Sequence, residues 1–263
     1  MSFTKISMIG AGVMGEALIA ALIKAGHAPE HIEIFEKRPD RAQELCERYG
    51  IKQGSVLSGS QVLLLVVKPQ DLEALLDQIK SRISSDTLII SFVAGKKMNK
   101  ISAALGGVNP IVRVMPNTPA LVGKGAAGYS FNEIVNDHQK VFVTDLLNAA
   151  GKAVEVAEDL QDAITATSGS GPAYFFAFVE SMVKGAVDLG LSEEVATQLT
   201  VQTLAGAAEL LQTSGKSATT LRENVTSPNG TTFAALQSFS ANELEKIVAD
   251  AMKAARDRSI ELS

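Results

Sequence analysis

Residues 8–18 read MIGAGVMGEAL. An apolar run ends in Gly10, Ala11, Gly12, Val13, Met14 and Gly15, a G-x-G-x-x-G pattern, and a helical pattern starts at once. The first glycine permits a tight turn, the second lets backbone approach a pyrophosphate, and the third lets helix and strand pack closely. The helix start adds unpaired N–H groups aimed at the same point. Strand, turn and helix near the start of the chain predict a dinucleotide-binding βα unit and therefore an α/β fold.

The rest of residues 1–157 agrees. The runs KISMIG, HIEIF, QVLLLVV, TLIISFV and PIVRVM, and the weaker AAGYSF and AVEVA, read as strands, several apolar throughout, as strands covered on both faces are. They predict a doubly wound, Rossmann-type parallel sheet. Polar or turn-rich segments follow the first five: GAGVMG, EKRPD, KPQ, AGKK and PNTPA. In such sheets these loops converge beyond the carboxyl ends of the strands.

From residue 158 to 263 the strand pattern gives way to helices. Stops are expected at Gly190 and Gly215, and Ser240 with Glu243 forms a capping-box pattern for the last helix. Residues 172–189 are apolar around much of their circumference. Such a helix packs against several neighbours, either within a monomeric bundle or across a homo-oligomer interface, and the expectation taken is a homo-oligomer.

The loop after the second strand carries conflicting cues for the nucleotide. Glu36 would accept hydrogen bonds from the ribose of NAD, whereas Lys37 and Arg38 offer charge to the extra phosphate of NADP. At other strand ends, Lys68 is a candidate for phosphate and Asn117 for a carboxamide or sugar. The histidines His27, His31 and His138 have no motif around them and read as surface residues. Lys184 would suit a dehydrogenase base, yet Glu180 and Asp188 flank it at ion-pair spacing.

Two corners stand out among the helices. SPNG, residues 227–230, suits a β-turn in which Asn229 takes the left-handed conformation, and Thr231 or Thr232 would cap a helix starting near Phe233. A turn of this kind gathers free N–H groups and hydroxyls where a carboxylate could bind. TSGSGPAY, with Ser168 and Ser170, reads as a similar corner.

With 24 basic and 29 acidic residues the net charge is −5, and no Lys/Arg run can track nucleic acid. A lone cysteine, Cys46, excludes an internal disulfide and a cysteine metal site. No apolar run reaches membrane-span length and the N-terminus lacks a signal-like core, so no membrane partner and a cytoplasmic location are expected.

The Gly-rich turn, VKP, MPNTPA, SGSGPAY and SPNGTT, in this order, resemble the pyrroline-5-carboxylate reductase family, from about Ser7 to the last helix. The resemblance implies an N-terminal Rossmann domain and a C-terminal helical domain that interleaves with a second subunit. It also implies reduction of 1-pyrroline-5-carboxylate to L-proline by NAD(P)H; because Lys37 and Arg38 can neutralise a phosphate while Glu36 is free to turn outward, NADPH is expected to be modestly preferred, with NADH possible. It carries nucleotide contacts onto Gly10 to Gly15, onto Val66, Val67, Lys68 and Pro69, and onto Phe92, Val93 and Ala94. Substrate contacts map onto Ala94, Glu158, Asn224, Gly230, Thr231 and Thr232, with Thr232 the candidate for bonding the ring nitrogen. Glu36-Lys37-Arg38 replaces the family's usual Asn-Arg-Ser-like loop, and Asn229 a usual glycine. A β-hydroxyacid dehydrogenase using Lys184, and a dinucleotide-sensing protein without turnover, are the alternatives.

Overall fold

The computed structural model describes residues 3–262; residues 1, 2 and 263, at the ends of the two expected domains, lie outside the described residues. The strands are β1 (Ile6–Ile9), β2 (Ile32–Phe35), β3 (Lys52–Gln53), β4 (Val62–Leu65), β5 (Leu88–Ser91), β6 (Ile111–Met115), β7 (Gly125–Phe131) and β8 (Gly151–Glu155). The helices are α1 (Val13–Lys24), α2 (Pro39–Tyr49), α3 (Leu72–Ile79), α4 (Met98–Leu105), α5 (Asp137–Ala150), α6 (Gln161–Ile164), α7 (Gly171–Asp188), α8 (Glu193–Thr213), α9 (Ala218–Asn224), α10 (Thr231–Ala241) and α11 (Leu244–Glu261).

All eight strands share one sheet in the order β3-β2-β1-β4-β5-β6-β7-β8. The first six follow the doubly wound order 3-2-1-4-5-6, so the chain reverses direction across the sheet between β1 and β4. Pairing is parallel, as a Rossmann-type sheet requires, except for β6 with β7, which is antiparallel. A short 3-10 turn at Thr118–Val122 returns the chain without a crossover helix, and an antiparallel neighbour needs none. β3, two exposed residues long, has too little apolar content to be read from sequence.

Successive residues of the central strands feed opposite faces. Val62 and Leu64 of β4, with Leu88 and Ile90 of β5, join a core against α1, α2 and α5. Leu63, Leu65 and Ile89 join a second core against α3 and α4. Burial on both faces explains why these strands carry no polar alternation.

The chain divides into two compact units, Met1–Pro172 with Ala254–Ser263, and Ala173–Lys253. The first therefore retains residues 158–172, which the sequence assigns to the helical domain, and also takes in the end of α11. Gln161 shows why: fully buried, it donates to Ser130 Oγ on β7 at 2.9 Å. The second unit is helical throughout, with breaks at Gly190 (φ 102°) and Gly215 (φ 67°) where the sequence marks them.

Several local expectations change. α10 already begins at Thr231, with Gly230 as its N-cap and no side chain capping it, so neither Thr231 nor Thr232 is a cap. The Ser240–Glu243 capping box does not form: Ser240 lies inside α10, and Glu243 takes a left-handed φ of 53° immediately before α11. TSGSG is no corner either, since Thr165–Gly169 winds as a π-helical turn leading into α7.

Candidate active site

β1 ends at Ile9 and the chain turns at Gly10, whose φ of 90° suits a residue without a side chain. Any Cβ there would fall onto the carbonyl of Val66, the residue after β4. The Gly10 N–H donates to Phe35 O at 3.0 Å and the Val66 N–H to Ile9 O at 2.9 Å, so the loops after β1, β2 and β4 are joined by backbone. Gly15 is a packing position, because its Cβ would stand 2.7 Å from Gly10 O. Gly12 differs: a Cβ there would meet nothing within 4 Å. Gly12 is also the N-cap of α1, with no side-chain cap. An open approach to uncapped helix amides fits the pyrophosphate of a dinucleotide. Val13 is exposed, and Met14 packs partly into the core.

Both backbone polar groups of Ala11 are held by side chains. Its N–H donates to Glu36 Oε2 at 2.9 Å, and its carbonyl accepts from Arg41 Nε at 3.3 Å. Glu36 Oε1 accepts from the backbone N–H and Nε of Arg38, at 3.0 and 3.1 Å. Burial acts to raise the Glu36 pKa, but the N–H groups of Ala11 and Arg38 and the Arg38 guanidinium outweigh it, holding the carboxyl below its ordinary value. Lys37 and Arg38 are exposed at the mouth of the loop.

Arg41 is a residue that sequence reading missed. It pairs with Glu16 of α1 and with Glu44, while Arg48 and Tyr49 also bond Glu16. These contacts cross from one helix to another, so only the Arg41–Glu44 spacing is visible in the sequence. Cys46 lies half-buried on the same helix, and burial and then Glu47 push its thiol pKa up, which suits a bystander.

Lys68 is exposed, and Pro69 starts a 3-10 turn behind it. Phe92 and Val93 are buried and Ala94 is half-buried, which leaves Ala94 as the accessible member of that loop. Asn117 is corrected: its amide donates to Ser168 O at 3.0 Å and accepts from the Ala126 N–H at 2.8 Å, so both ends serve the fold. His27 is half-buried with its ring against Phe142, while His138 is exposed, as expected, with its ring against Phe3.

Glu158 also has an internal partner. Its Oε1 accepts the N–H of Met98, the first residue of α4, at 2.6 Å, and lies 3.5 Å from Nη1 of the buried Arg113.

In the helical unit, Asn224 ends α9 and is exposed. Asn229 has the left-handed φ of 60° that the turn requires, and Gly230 N–H donates to Ser227 O at 3.0 Å. A Cβ on Gly230 would run into the Ser227 hydroxyl. Thr231 and Thr232 stand in the first turn of α10, which no side chain caps, and among the described residues no hydrogen bond of their hydroxyls is found. Lys184 is exposed and, among the described residues, pairs with neither Glu180 nor Asp188, so the expected ion-pair ladder is not formed.

Comparison with known proteins draws these features together. Residues 158–262 match the family model described as pyrroline-5-carboxylate reductase dimerisation, and residues 5–95 match NADP oxidoreductase coenzyme F420-dependent. A pyrroline-5-carboxylate reductase of Pseudomonas aeruginosa is 39% identical over 268 residues, covering 100% of this chain and 98% of that protein. This chain belongs to the pyrroline-5-carboxylate reductase family. Among solved structures, a pyrroline-5-carboxylate reductase of Coxiella burnetii superposes with a TM-score of 0.92 at 34% identity, covering 100% of this chain and 99% of that one. The Plasmodium falciparum pyrroline carboxylate reductase, solved with NADP bound, gives 0.87 at 32%, covering 98% of each. Family membership favours neither the Lys184 dehydrogenase nor the sensing protein.

Proposed function

We propose that this protein reduces 1-pyrroline-5-carboxylate to L-proline, the last step of proline biosynthesis, using NAD(P)H with NADPH preferred. The observation that carries the reading is full-length likeness at 39% identity to a reductase of that name, joined to an open Gly12 approach at an uncapped helix start. The bound nicotinamide supplies the hydride. The chain's part is to bind, orient and hold a proton at the imine.

For the nucleotide, the α1 amides beyond Gly12 take the pyrophosphate, and the loops at residues 66–69 and 92–94 flank the nicotinamide half. For the substrate, the free first-turn amides of α10 hold the carboxylate. Thr231 and Gly230 shape that anion site, Asn224 ends the helix that precedes it, and the Thr232 hydroxyl faces the ring nitrogen. Neither Thr is needed as a cap, which leaves both hydroxyls available for this task. No strong base is required, in keeping with histidines engaged in packing.

The domain division at 157/158 is retained as the evolutionary boundary, supported by the start of the family match at residue 158. A homo-oligomer is supported by the second unit itself: of residues 173–253 only Ala196 and Thr200 are buried, while Phe175, Phe176 and Leu199 are more than half exposed. An apolar surface of that extent requires a cover. Among the described residues no helix is long and apolar enough to cross a membrane, and the cytoplasm remains the location proposed.

The test is to mix the protein with 1-pyrroline-5-carboxylate and NADPH, then NADH, and follow loss of reduced-nicotinamide absorbance and formation of proline. Consumption of neither nucleotide would overturn the reading.

A further inference from the structure

Arg113 stands in the middle of β6 and is 3% exposed. Two acids face it: Glu158 Oε1 at 3.5 Å from Nη1 and Asp162 Oδ1 at 3.7 Å from Nη2. Each acid has a shorter bond elsewhere. Glu158 Oε1 accepts the Met98 N–H at 2.6 Å, and Asp162 Oδ1 accepts the Ser259 hydroxyl at 2.6 Å. Met98 opens α4 directly after the loop at residues 92–97. Ser259 lies in the last turns of α11, and the end of that helix packs on the same loop: a Cβ on Gly95 would stand 3.2 Å from Leu262 O. Neither contact is a hydrogen bond, and Arg113 Nη1 is buried without a hydrogen-bond partner, so one buried cation draws the two carboxylates by charge. One of them grips the far end of the loop, and the other steadies the helix end lying on its middle.

We propose that Arg113 and Glu158 are positioning residues, Arg113 orienting a carboxylate that clamps the Met98 amide and so holds residues 92–97 in place for hydride transfer. In this assignment Glu158 acts through the backbone of Met98 and not by touching the substrate, and the assignment presupposes the reductase activity proposed above. A buried arginine suits the task, because its charge draws both carboxylates and each of two nitrogens faces one of them.

The experiment compares Glu158→Gln with Glu158→Ala. Glutamine keeps an oxygen for the Met98 N–H but loses the charge, so kcat is expected within about threefold of wild type. Alanine frees the amide, and kcat is expected to fall about ten- to a hundredfold, with NADPH affinity held within about threefold. Hydrogen exchange at the Met98 amide should quicken in Glu158→Ala alone, while amides of β5 stay protected. A glutamine variant as impaired as the alanine variant would assign Glu158 to the substrate and overturn the proposal. So would an alanine variant with full activity or unchanged exchange at Met98. If Glu158→Ala does not fold, Arg113→Lys carries the same test. It keeps the charge but replaces two nitrogens, each facing one acid, with a single one, so exchange at Met98 should rise and kcat fall at constant NADPH affinity, and the absence of both changes overturns the proposal. Wild-type protein that does not turn over the imine overturns the proposed function alone, and the exchange comparison then decides the clamp.

Discussion

Glu36 Oε2 accepts the amide hydrogen of Ala11 at 2.9 Å, so the acid ending β2 closes onto the glycine-rich turn instead of reaching outward. Its other oxygen holds Arg38, whose side chain is 65% exposed. Arg38 is therefore the group free to exchange a carboxylate partner for a phosphate. Arg38→Glu is expected to raise the KM for NADPH about tenfold or more and to leave that for NADH almost unchanged. Steady-state kinetics with both nucleotides checks this, and equal effects on the two would show that the loop does not read the phosphate.

The glycines of the turn are expected to separate by role. Gly12→Ala adds a methyl group in open space, so the melting temperature should hold while NADPH affinity drops. Gly15→Ala drives a methyl group towards Gly10 O, and loss of stability should dominate even though alanine favours helix. Thermal melts with and without NADPH distinguish the two.

For Thr232→Ala the expected loss falls on kcat, by about ten- to a thousandfold, with nucleotide affinity little changed. Because Gly230 is the cap, the melting temperature should hardly move, whereas removal of a capping Thr would cost about 0.5–2 kcal/mol. Thr231→Ala should act mainly on the KM for the imine. A Thr232→Ala enzyme with lowered stability and full turnover would contradict the assignment.

Glu16 predicts a pH dependence. Burial raises its pKa, but bonds from Arg41, Tyr49 and Arg48 prevail and hold the carboxyl below its ordinary value of 4.5. A depressed folded-state value means a stabilising contribution present above the unfolded value and lost as pH falls through the folded one. Glu16→Gln should therefore be less stable than wild type at pH near neutrality, and the gap should narrow on acidification through the carboxylate range. Denaturant titrations across that range check the sign; a gap constant with pH would remove Glu16 from the linkage.

Phe176 is 60% exposed in the helical unit. Phe176→Glu would place a charge in a subunit interface and should release monomers of low activity. Sedimentation velocity reads the outcome, and a monomeric wild type at micromolar concentration would contradict the oligomer without any mutant.

What residues 6–24 become was settled by sequence alone, since a buried strand, a turn needing positive φ and a helix start depend on neighbours a few positions away. The same holds for the left-handed Asn229 and for the breaks at Gly190 and Gly215. The capping box at Ser240 shows the limit of local signals, because α10 runs through it and the chain turns at Glu243 instead. Only tertiary structure decided where the charged side chains point. Glu36 turning inward depends on how closely β1 and β2 pair, and the Glu16 network on how α2 lies across α1. The Arg113 cluster joins β6, α4, α6 and the end of α11, with Met98 and Glu158 separated by 60 residues and Asp162 and Ser259 by 97. Contacts over such separations leave no periodicity in the sequence: they exist because packing brings the elements together, and burial then favours pairing of polar groups, though Arg113 Nη1 is left without a hydrogen bond.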